Sequence, residues 1–90
     1  DKMSEKSRNF SRAVKSVQEE LEAVDWYNQR AEQTTDEQLK KILEHNRDEE
    51  IEHAVMALEW LRRCTPKFDE NMKTYLFTKG DILKIEEKAK

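Results

Sequence analysis

Two carboxylates and an imidazole frame the chemistry open to this chain. Glu50 and His53 are three residues apart in Glu50-Ile51-Glu52-His53, and Glu20 precedes Glu50 by thirty residues. On a helix, a three-residue spacing puts two side chains on one face about one turn apart. Carboxylate oxygens with an imidazole suit a hard redox metal such as iron or manganese, and the lack of thiolates argues against structural zinc. A lone Glu-x-x-His is weak evidence, because a Glu-rich helix produces one by chance. The signal gains weight from where the three residues fall.

They fall in two apolar stripes. The segments from about Arg8 to Thr34 and from Asp36 to Cys64 contain no Gly or Pro and are rich in good helix formers. In the first, Phe10, Ala13, Val17, Glu20, Val24, Tyr27 and Ala31 alternate spacings of three and four. In the second, Leu39, Leu43, Asn46, Glu50, His53, Ala57, Trp60 and Cys64 do the same. Each is a heptad seam that packs on a neighbouring helix. Thr34-Thr35-Asp36 suits a helix stop followed by an N-cap. Folding the chain back there pairs positions whose numbers sum to 70: Glu20 with Glu50, Val17 with His53, Ala31 with Leu39. Phe10 then meets Trp60 at the open end. The three ionisable groups arrive at one level, roughly 22 Å from the turn at about 1.5 Å per residue. Buried carboxylates are normally paired or metal-bound, since desolvating one alone costs several kcal/mol.

A hairpin of this kind supplies half of a di-metal carboxylate bundle. Such bundles take one Glu from each of two helices and a Glu-x-x-His from each of the other two. The expected fold is therefore all-α: an antiparallel two-helix hairpin plus a short C-terminal helix, dimerising into a ferritin-like four-helix bundle. Thr65-Pro66 opens the short helix, which carries Phe68, Met72 and Tyr75 and stops near Gly80. Residues 1–7 read as a flexible N-terminus, 8–76 as the hairpin with its third helix, and 77–90 as a charged C-terminal tail.

Composition agrees. Of 90 residues, 41% are charged and 36% hydrophobic, with one Gly and one Pro, which suits long solvated helices rather than sheet. A net charge of −3 argues against a nucleic-acid partner. No apolar run approaches the ~20 residues of a membrane span, and no secretory signal is visible. The lone Cys64 cannot form an internal disulfide and fits a reducing compartment. The chain opens at Asp1 rather than Met, as a processed or trimmed chain would.

From Arg8 to Phe77 the sequence resembles the encapsulated ferritins, the short ferritin-like proteins packaged in encapsulin shells. The resemblance rests on Arg8-Asn9-Phe10, the run from Glu19 to Arg30, the run from Glu44 to Ala54, and Leu58-Glu59-Trp60-Leu61-Arg62-Arg63. The family's spacing of Glu, twenty-nine residues, then Glu-x-x-His maps onto Glu20, Glu50 and His53. The resemblance implies a ferroxidase that oxidises Fe(II) with oxygen at a di-iron centre across a homodimer interface. It also implies a ring-shaped decamer, an encapsulin shell protein as partner, and a cytoplasmic nanocompartment where iron is mineralised.

Other residues carry weaker expectations. Glu19, Glu22 and Trp26 read from sequence as an ordinary acidic helix face. The resemblance makes them an outer metal site that guides iron inward and takes calcium or another divalent cation. Tyr27, two turns from Glu20, is either a hydrogen-bond donor to a ligand carboxylate from behind or a packed core tyrosine. Asp48, Glu49 and Glu52 read as a solvated acidic face, His45 as a surface residue and Cys64 as a buried apolar filler. The alternative function is a metal-free helical-hairpin adaptor. A haemerythrin-like oxygen binder needs more histidines than this seam offers.

Overall fold

The structure, a computed structural model, describes residues 4–90. All regular structure among them is helical: α1 (Glu5–Gln33), α2 (Glu37–Cys64), α3 (Pro66–Tyr75) and α4 (Ile82–Ala89). The two long helices form the expected hairpin, with α3 packed on α2 and α4 touching α3.

Local chemistry sets the boundaries. Ser4 caps α1 by accepting the Ser7 backbone N–H at 3.1 Å. That cap starts the helix three residues ahead of Arg8, so residues 5–7 are helical rather than a loose end. The remainder of the expected flexible segment, residues 1–3, lies outside the described residues. Asp36 accepts the Leu39 N–H at 2.8 Å and opens α2, as its place after Thr34-Thr35 suggests. Pro66 takes the first position of α3, where a missing N–H costs nothing, although the Thr65 side chain makes no capping bond.

The C-terminal region departs from the sequence expectation. Residues 82–89 form a helix, not a tail, because Asp81 caps it by accepting Leu83 N–H at 2.9 Å and Lys84 N–H at 3.4 Å. The α3 helix ends at Tyr75, five residues before Gly80. Gly80 serves the following turn, with φ of +93° that an L side chain rarely adopts and open space around its Cβ position. Phe77 adopts φ of +62° in the same turn and is fully exposed.

Packing is thin. Only Ala31, Ala54 and Leu61 are buried hydrophobics among the described residues, and two of them are alanines that let α1 and α2 approach closely. The molecule is a slab 15 Å thick, 48 Å by 44 Å across. Its accessible surface of 7412 Å² is about a third more than the roughly 5,500 Å² of a compact monomer of its mass. Leu21, Ile42, Ile51, Val55 and Met56 are all exposed on the two long helices. Cys64, expected to be buried, is exposed, because its stripe runs off the end of α2 with nothing packed over it. Phe10 packs against Phe68 of α3 with the rings tilted by 44° and 6.5 Å between ring centres, while sharing a groove with Trp60.

Candidate metal centre

The hairpin brings Glu20, Glu50 and His53 together. One ligand atom from each lies within 4.8 Å of the others. His53 Nδ1 stands 3.4 Å from Glu20 Oε2 and 3.7 Å from Glu50 Oε2. Glu20 comes from α1 and the other two from α2, so the cluster exists only because the turn at Thr34-Thr35-Asp36 sets the register. The pairing rule holds at Glu20 and Glu50. His53 reaches the same level because helical side chains lean toward the N-terminus, over residues 49 and 50.

The cluster is open to solvent on one side. The side chains of Glu20 and Glu50 are each 26% exposed and that of His53 is 42% exposed. The expected burial is between two copies, so partial exposure is what a single chain should show: one neighbouring helix covers only one side of each seam. Even so, Glu20 Oε2 is itself enclosed and no donor meets it in hydrogen-bond geometry. A buried oxygen without a donor is costly and calls for a partner. The Glu20 carboxyl is held above its ordinary 4.5, first by hydrogen bonding with the neighbouring Glu50 carboxyl, then by burial and Glu50's charge. The nearby His53 ring opposes the shift. Two carboxylates and an imidazole around one enclosed oxygen fit a divalent cation by donor type: its charge would offset the repulsion between the acids.

The remaining candidates are arranged differently. Glu19, Glu22 and Trp26 are exposed on α1, and no third carboxylate, imidazole or thiolate joins them among the described residues. Trp26 lines a shallow groove with Gln29, Arg30 and Gln33. Tyr27 is half-buried, with the Arg30 guanidinium 5.8 Å from its ring centre. Its hydroxyl makes no hydrogen bond to the three clustered residues among those described. His45 is exposed, as expected, with Nε2 3.6 Å from Glu49 Oε1. A second group, Glu49, Glu52 and His53, also comes within 4.8 Å, and sequence reading gave those acids no role beyond a charged face.

Fold and cluster together define an all-helical hairpin carrying a carboxylate–imidazole group on an open face. The EncFtn-like family model matches residues 1–79, and the chain belongs to that family. It is 60% identical over 84 residues to a ferritin-like protein of Thermotoga maritima, covering 93% of this chain and 74% of that one. It is 58% identical over 84 residues to an encapsulated ferritin-like protein of Rhodospirillum rubrum, spanning 60% of that protein's length and 93% of its own. Its fold matches the crystal structure of protein ne0167 from Nitrosomonas europaea with a TM-score of 0.87 and 57% identity, over 90% of this chain and 89% of that one. Family membership supports a ferritin-like, iron-related role. No described helix is long and apolar enough to cross a membrane.

Proposed function

We propose that this chain is a ferroxidase, oxidising Fe(II) to Fe(III) with oxygen at a di-iron site shared by two copies. The observation that carries this is the enclosed, donorless Glu20 Oε2 within a three-donor cluster left open on one side. A second copy across that side would double the set to four Glu and two His, the complement such bundles use. Glu20 and Glu50 would hold the metal by charge as carboxylates, and His53 would contribute a nitrogen lone pair. Bound iron supplies the one-electron redox couple. Glu19, Glu22 and Trp26 would line an outer approach for the incoming cation, and Tyr27 would brace the ligands. The product would pass to mineral inside an encapsulin shell, in keeping with the similarity to the encapsulated ferritin-like protein of Rhodospirillum rubrum.

The test is an Fe(II) oxidation assay on the wild type and on Glu20→Ala, Glu50→Ala and His53→Ala. Each variant is expected to lose about tenfold or more in initial rate, since even groups behind a metal ligand typically matter by 10–100-fold. Equal rates in all four proteins would refute the assignment.

A further inference from the structure

We infer that Glu49 is a positioning residue for His53, accepting its Nε2–H so that Nδ1 presents a bare lone pair to the Glu20–Glu50 side. The inference rests on the cation site proposed above and adds a residue to it.

The two ring nitrogens of His53 face different carboxylates. Nδ1 faces Glu20 and Glu50 at 3.4 and 3.7 Å, whereas Nε2 faces Glu49 Oε2 at 3.9 Å. Helix geometry makes this division: residues 49 and 50 stand four and three positions before His53, so a ring leaning toward the N-terminus spans both. A neutral imidazole carries one proton, and the partner of one nitrogen decides which nitrogen is bare. A histidine that binds a metal through one nitrogen usually donates its other N–H to a carboxylate, which fixes tautomer and ring angle. The separation is too long for a direct hydrogen bond. Closing it by about 1 Å, or inserting one water, would complete the contact. Geometry of this kind often tightens only when the ligand is bound.

Glu49 is itself restrained. Its other oxygen, Oε1, lies 3.6 Å from His45 Nε2, one turn earlier on the same face. Residues 45, 49 and 53 thus form an i, i+4, i+8 ladder ending at the cluster. Glu52 shares the neighbourhood within 4.8 Å but makes no ion pair with His53 among the described residues, so it provides a control for charge alone.

The experiment uses the full chain, with and without metal. Nitrogen-15 NMR of the histidine rings in metal-free protein, near pH 8, reads the fraction of His53 protonated at Nε2. Anaerobic calorimetry with Fe(II) alone reads affinity. Glu49 is about half exposed and Ala is a better helix former, so Glu49→Ala should keep the helix. Expected are a smaller Nε2–H fraction and about tenfold weaker Fe(II) binding in Glu49→Ala. Glu49→Gln, whose amide oxygen still accepts an N–H, should stay near wild type in both, and Glu52→Ala should change neither. An unchanged tautomer fraction in Glu49→Ala overturns the inference whatever Fe(II) does. Equal losses of affinity in Glu49→Ala, Glu49→Gln and Glu52→Ala would mean that only negative charge matters, which also overturns it. If His53→Ala binds Fe(II) like wild type, the cation site itself fails, while the tautomer fraction still decides the role of Glu49.

Discussion

Glu20 is where the metal-free chain is least comfortable. Its Oε2 is enclosed and donorless, and Glu50 and burial hold the carboxyl above 4.5. For an acid raised in the folded state, the neutral form is the one folding favours. Stability from it is complete below pH 4.5 and is lost as pH rises from there through the folded value. At pH 7 the group is a liability that a divalent cation would relieve. Glu20→Gln keeps the shape and removes the charge. It is expected to raise the metal-free melting temperature at pH 7 by roughly 2–5 °C, with the gap closing toward pH 4. Fe(II) should stabilise the wild type and leave Glu20→Gln unmoved, since the amide binds the cation poorly. Scanning calorimetry at the two pH values, with and without Fe(II) under nitrogen, measures both. A lower melting point for the metal-free variant at pH 7 would sink the account of Glu20.

At the level of elements, what could be read in advance depended on how local the cause was. The long helices were legible because Gly and Pro are absent from both and Asp36 marks the turn. The meeting of Glu20 with Glu50 was legible because loop position and heptad spacing fix the same register. The α4 helix was not, because eight residues with four charges resemble a solvated end, although Gly80-Asp81 held the turn and cap that start it. The facing of Glu49 and His53 was hidden for a similar reason: an exposed acid one turn away looks like any other charged face. The α2–α3 corner was illegible because its key contact depends on the angle the chain takes at Thr65. There Arg62 donates to Glu59 and, across the corner, to Asp69, while Lys73 also pairs with Asp69. Arg62 and Arg63 hold the Glu59 carboxyl down at about 2. Lys73 and Arg62 lower Asp69 as well. A depressed acid stabilises the fold above its unfolded value and loses that contribution as pH falls. The corner should therefore loosen from pH 4.5 down through about 2, seen as growing amide exchange in Pro66–Tyr75 relative to α1. Arg62→Met keeps the apolar stem and removes the charge, so it should loosen the corner already at pH 7 and flatten the acid response. An acid response identical to wild type would remove Arg62 from the corner's support.

Taken whole, the molecule exposes more surface than a compact monomer of its mass. Its 7412 Å² exceeds the compact-monomer expectation by about a third, more than the roughly 800 Å² that one partner contributes to a standard interface. Met56 and Trp60 follow His53 by three and seven residues, so both lie on its side of α2, and they are 59% and 40% exposed. If a second copy closes the Glu20–Glu50–His53 cluster, it must also cover these two. Met56→Asp puts a charge into that covering surface without touching a candidate ligand or the hairpin's own buried residues. An unpaired charge desolvated between two copies costs several kcal/mol, enough to dissociate an assembly of moderate affinity. Light scattering at micromolar concentration should show the wild type as a multimer and Met56→Asp shifted toward the 10.8 kDa single chain, with helicity unchanged by circular dichroism. Fe(II) oxidation should fall in parallel, although Glu20, Glu50 and His53 are all present. A monomeric variant that oxidises Fe(II) at the wild-type rate would mean that one chain carries a complete site, and the shared centre would have to be abandoned.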